Sequence, residues 1–167
     1  MEPNLKNIDV WCWKYQENVR NYPGLHFTAK SKACNTLLEL IDKIIKEGDG
    51  RARTLPLKLL NKSDEAKVTG GQKFISFQKL KISWHAPSDK LYKAAFFIEN
   101  NNVHFYLTEN FVYEFKNGLL DVKNGEGDYS IHPRFKGYGK VKSMGELDKQ
   151  SEELWFWPCF GHYCVQE

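Results

Sequence analysis

The feature that most constrains this chain is one strongly amphipathic helix followed by an abrupt change of period. Ala33, Leu37, Leu40, Ile41, Ile44 and Ile45 recur at spacings of mostly three and four and draw one broad apolar stripe. Such a stripe must be buried against another element, and the residues after Asp49-Gly50 say which kind. From there the apolar positions alternate, as they do in strands. Thr28 or Ser31 is placed to cap the helix by accepting from the exposed N–H groups of its first turn. Gly48, after Lys46, supplies the stop.

The spacing of Ile8, Trp11, Tyr15 and Val19 predicts a further helix over 5–21, ended by Tyr22-Pro23-Gly24. Leu55, Leu57 and Leu59 alternate around Pro56, the pattern of an edge strand. Lys73–His85 reads as one long strand whose phase changes midway: Ile75 and Phe77 belong to one face, Leu80, Ile82 and Trp84 to the other. A bulge near Gln78-Lys79 would repair that switch. Ala94–Glu99 and Val103–Thr108 form a hairpin around Asn100-Asn101-Asn102, because Asn tolerates the left-handed backbone of tight turns.

Phe111, Phe115, Leu119 and Val122 predict a later helix. It is capped by Thr108 or Asn110, ends at Gly125-Glu126-Gly127 and is weakened by Gly118. Short strands follow at Asp128–His132 and Leu154–Trp157, separated by a loop over 133–150. Successive strands joined by tight turns imply an α+β fold. The expected architecture is one antiparallel sheet of five or six strands, covered by two N-terminal helices and one later helix. The second helix should pack on Ile75, Phe77, Phe97 and Phe105. A length of 167 residues without a linker or repeat predicts a single domain over 1–167.

A net charge of +3, with both signs interspersed, gives no basic stripe or tail for nucleic acid. Lys79, Lys81 and Lys90 with Phe77, Trp84 and Tyr92 form the only arrangement able to clamp a single strand, and no nucleic-acid motif accompanies them. No apolar run is long enough to span a bilayer, and the first residues do not read as a signal peptide. The expected setting is therefore the cytoplasm, with Cys12, Cys34, Cys159 and Cys164 as free thiols.

Candidate chemistry is sparse. Asp128 and His132 lie at an even spacing in a Gly-bracketed strand and could share a proton as acid and base, although the same residues serve equally as a turn. Cys159, His162 and Cys164 offer zinc-type donors, but without a fourth ligand at a usual spacing; the plain alternative is a packed tail, so no cofactor is expected. Cys159 with His162, or Cys34 with His26, are the nearest thiol–imidazole pairs in sequence. Val68-Thr69-Gly70-Gly71-Gln72 lacks the spacing of a phosphate loop.

Aromatics make up 14% of the chain, more than a thin core requires, so some should lie at a surface. Trp155 and Trp157 share one face of their strand and, with Trp84, are the candidate binding residues. These features favour a small non-enzymatic protein-binding module, of the bacterial immunity or adaptor kind, with another protein as partner. The competing readings are a small enzyme using Asp128 and His132, and a sugar or nucleotide binder using Trp155 and Trp157.

Overall fold

The computed structural model describes residues 5–17, 23–60, 73–87, 93–126, 129–131, 148 and 150–159. After a 3-10 turn at Leu5–Asn7, the order is β1 (Val10–Tyr15), β2 (Leu25–Ala29), α1 (Ser31–Glu47), β3 (Ala52–Pro56), β4 (Phe74–Ser76), β5 (Lys79–His85), β6 (Ala95–Glu99), β7 (Asn102–Thr108), α2 (Glu109–Lys123), β8 (Tyr129–Ile131) and β9 (Leu154–Phe156). The strands form two sheets, ordered β4-β1-β2-β9-β8 and β3-β5-β7-β6.

Helix and strand are mixed as the sequence implies, but the single antiparallel sheet is wrong. There are two sheets, and each contains a parallel pair, β2 with β9 and β5 with β7. The β6–β7 hairpin forms as expected, with Asn100 at φ 56°. It does not follow β5 in space, however. The chain leaves β5, enters the far edge of the sheet as β6, and returns as β7 between them. Neighbours in sequence are therefore not neighbours in the sheet, and β5 and β7 run parallel.

The helix expected over 5–21 is also corrected: Val10–Tyr15 is a strand. Trp, Val and Tyr fit a pleated surface, and Trp11, Trp13 and Tyr15 alternate with Val10 and Cys12. Both faces of β1 are buried over Val10–Trp13, and Lys14 is its one polar position, so the period of two hardly shows. Apolar residues at five of its six positions also supply accidental helical spacings.

The phase change in residues 73–85 has a different physical origin from a bulge. The chain leaves one sheet and joins the other. The Phe77 N–H donates to the Cys12 carbonyl of the first sheet, and the next N–H, of Gln78, donates to Asn101 in the second. A parallel path crosses the same corner, where Leu57 N–H donates to Gln78 and Lys58 N–H to Val10. Strands that change sheets in this way make a corner that encloses a core.

One apolar core fills the space between the two sheets and both helices. It takes Val10, Leu25 and Phe27 from the first sheet and Leu80, Ile82, Phe96 and Phe105 from the second. Leu37, Ile41 and Ile44 of α1 and Phe115 and Leu119 of α2 complete it, each at most 2% exposed. Burial of each such side chain is worth roughly 1.5–3 kcal/mol. Phe77 and Phe105 join the core as expected, whereas Ile75 lies on the edge strand and is 42% exposed, and Phe97 is on the outer side of β6.

The helix ends are partly as read. Gly48 closes α1 at φ 102° and Thr108 stands at the N-cap of α2. At the start of α1 the N-cap position is Lys30, without a side-chain cap, because Thr28 Oγ1 instead donates to the Trp157 carbonyl. Gly118 looked like a weakness of α2, yet α2 crosses β9 there. A Cβ at this position would stand 2.5 Å from the Phe156 ring, so glycine is what permits the approach.

Candidate functional site

With the core between the sheets, two outward faces remain, and they differ in chemistry. The first sheet buries its outer face too. Trp11, Trp13, Tyr15, Leu60 and Cys159 form a second cluster there, with Phe74 and Trp157 packed on it. This second layer absorbs the aromatic surplus: Trp11 and Trp13 are buried in it, and Trp84 is buried in the main core.

At the centre of that layer stands His26, fully buried on β2. Trp13, Trp157 and Trp155 lie nearly parallel to its ring, at centroid distances of 5.5, 5.9 and 6.3 Å, and Tyr15 meets it edge-on at 4.5 Å. Trp157 Nε1 donates to His26 Nδ1 at 2.8 Å, and Trp155 Nε1 donates to the Pro23 carbonyl at 2.8 Å. The two β9 rings are themselves parallel within 13°, 6.2 Å apart, and half-buried. The register explains the arrangement, since β2 pairs β9 in parallel with His26 opposite Trp155. The sequence signal was the polar residues of Leu-His-Phe-Thr-Ala alternating with apolar ones.

The second sheet presents a polar outer face. Lys81, Ser83 and His85 of β5, His104 and Tyr106 of β7, and Phe97 and Glu99 of β6 alternate outwards from the core residues between them. Ser83 and His104 are 4% and 3% exposed, and Ser83 Oγ lies 3.0 Å from His104 Nε2. His104 Nδ1 has no hydrogen-bond partner among the described residues, and Glu99 Oε1 is 3.8 Å from it. Tyr106 covers His104 at 3.7 Å and stacks on His85. Burial, with Lys81 and His85 adding like charge against the partial offset of Glu99, lowers the His104 pKa to about 4, so the ring is neutral at pH 7. Burial also raises the Tyr106 hydroxyl, and Glu99 adds to that.

The residues singled out from sequence are scattered. Trp155 and Trp157 are together as expected, but Trp84 faces the main core, away from them. Phe77 and Trp84 point inward while Lys79 and Lys81 point outward, so they form no stacking platform for bases. Asp128, His132, His162, Cys164, Lys90, Tyr92 and the Val68–Gln72 segment lie outside the described residues.

Cys159 corrects the expectation of free thiols: it is disulfide-bonded and buried. It supplies no thiolate to a metal or a substrate in that state. Cys12 and Cys34 are free. Burial pushes the Cys34 thiol up to about 12 and raises that of Cys12 as well. Cys34 packs in the core, whereas His26 faces the opposite side of the sheet, so they make no pair. Among the described residues no group of three His, Cys, Asp or Glu side chains is placed to hold a metal. Among them, too, no helix is long and apolar enough to cross a membrane.

Comparison with protein families, with curated proteins and with solved structures finds no match to this chain.

Proposed function

We propose that this chain works by binding another protein, with Trp155 and Trp157 as the anchor of the contact. The observation that carries this reading is how the two rings are held. Each indole N–H is spent inside the protein, on Pro23 and on His26, while the rings remain half-buried. A ring fixed in this way offers apolar surface without losing rotamer freedom on binding, the property of interface hot spots. A sugar or nucleotide stacked on these rings would gain no hydrogen bond from either indole N–H, since both are already used. That favours a protein partner over a small polar ligand.

Native mass spectrometry of the protein purified gently from its own host tests the reading, followed by amide exchange on the complex. The expected result is a stoichiometric protein partner that protects residues 154–157 and lowers acrylamide quenching of tryptophan. A bare monomer, or a partner that leaves 154–157 unprotected, would refute it.

A further inference from the structure

The outer face of the second sheet holds an arrangement that packing alone does not account for. A buried serine hydroxyl and a buried imidazole bonded to each other satisfy one ring nitrogen. The other, His104 Nδ1, is left buried without a hydrogen bond among the described residues. An unpaired buried group of this kind costs about 1–3 kcal/mol. The carboxylate of Glu99 lies just beyond bonding range of that nitrogen, 3.8 Å away, on a side chain that is 60% exposed beside the hairpin turn. Catalytic hydrogen bonds are often long before substrate arrives and tighten in the complex.

We propose that Ser83, His104 and Glu99 form a nucleophile–base–carboxylate relay that transfers the acyl group of a small ester to water. The order of contacts is that of serine hydrolases: hydroxyl to one imidazole nitrogen, carboxylate to the other. Three adjacent strands deliver it, since β5, β7 and β6 are neighbours in the second sheet. His104 is unprotonated at neutral pH and so able to accept a proton.

In the first step Ser83 Oγ bonds to the ester carbonyl carbon and its proton passes to His104 Nε2. The tetrahedral adduct collapses, the C–O bond to the alcohol breaks, and His104 returns the proton to the departing alkoxide. Water then attacks the acyl-Ser83 ester, giving a proton to His104; the acyl C–O bond to Ser83 breaks, His104 returns that proton to Ser83 Oγ, and the carboxylic acid departs. Glu99 holds the imidazole in the tautomer that keeps Nε2 an acceptor, and stabilises the imidazolium. Lys81, exposed on the same face and in register with His104, is the group placed to offset negative charge on the carbonyl oxygen. Tyr106, lying over His104, must swing aside to admit the ester, which restricts the substrate to a slender acyl group.

The test is labelling of the full chain with a fluorophosphonate, read by intact mass and peptide mapping, alongside hydrolysis of p-nitrophenyl acetate. The expected result is one phosphonyl group on Ser83, absent from Ser83→Ala. Labelling should slow at least tenfold in His104→Gln and severalfold in Glu99→Gln, with an initial burst of nitrophenol in the wild type. A folded wild-type chain left unmodified at Ser83 by prolonged excess probe would overturn the proposal. So would labelling of Glu99→Gln and His104→Gln at the wild-type rate. Should His104→Gln fail to fold, the wild-type adduct and the exposed Glu99→Gln variant still decide the matter. The site lies on a different sheet from Trp155 and Trp157, so either proposal can fail without the other.

Discussion

Lowering the pH should unfold this protein earlier than its carboxylates alone require, and His104 is the reason. An ordinary histidine titrates near 6.5, whereas in the folded chain His104 is held at about 4 by burial and by Lys81, with Glu99 only partly opposing. Between those values the unfolded chain holds the proton and the folded chain does not. Stability from this group is thus fully present above pH 6.5 and falls as pH drops towards 4. The difference between those two values corresponds to about 3 kcal/mol at its limit, most of it lost by pH 4.5. The assay is urea unfolding followed by tryptophan fluorescence at pH 7 and pH 4.5, in the wild type and in His104→Gln. With a urea slope of ~2 kcal/mol/M, the wild-type midpoint should fall about 1 M further than that of the variant. The comparison cancels the carboxylates common to both chains. Equal shifts in the two proteins would show that His104 is not held neutral by the fold, and the reasoning from its burial would fail.

Two further outcomes follow from close packing and from buried thiols. Gly118→Ala should destabilise by about 1–2 kcal/mol in chemical unfolding, because a Cβ 2.5 Å from the Phe156 ring forces a shift that outweighs the roughly 1 kcal/mol gain in helix propensity. Stabilisation instead would mean that α2 does not cross β9 at that point. Cys12 and Cys34 should resist a thiol-directed disulfide reagent at pH 8 in the native state and react within minutes in denaturant, since burial both raises their pKa values and shields them. Prompt native labelling of Cys34 would contradict its place on the buried face of α1.

Much of the secondary structure was legible in the residues themselves. The stripe from Ala33 to Ile44 made α1 unavoidable, Asn100-Asn101 turned the hairpin, and Gly48 stopped a helix because its φ of 102° is open to glycine. Even the corner between the sheets left a trace, as the change of phase between Phe77 and Leu80. These are local properties, set by spacing, side-chain shape and backbone freedom within a few residues.

What only the tertiary structure decided is which surfaces meet. Trp11, Trp13 and Tyr15 alternate with the buried Val10 and Cys12 and with a single polar residue, Lys14, so their strand resembles a helix. Ser83 and His104, like His26 and Trp157, lie on strands that are not consecutive in the chain, and strand order and register bring them within reach, whereas Glu99 meets His104 across a local hairpin. Sequence spacing governs contacts along an element, whereas contacts between elements depend on parallel or antiparallel pairing and on sheet order. Those are fixed by the burial of the whole core, which no local window of residues contains.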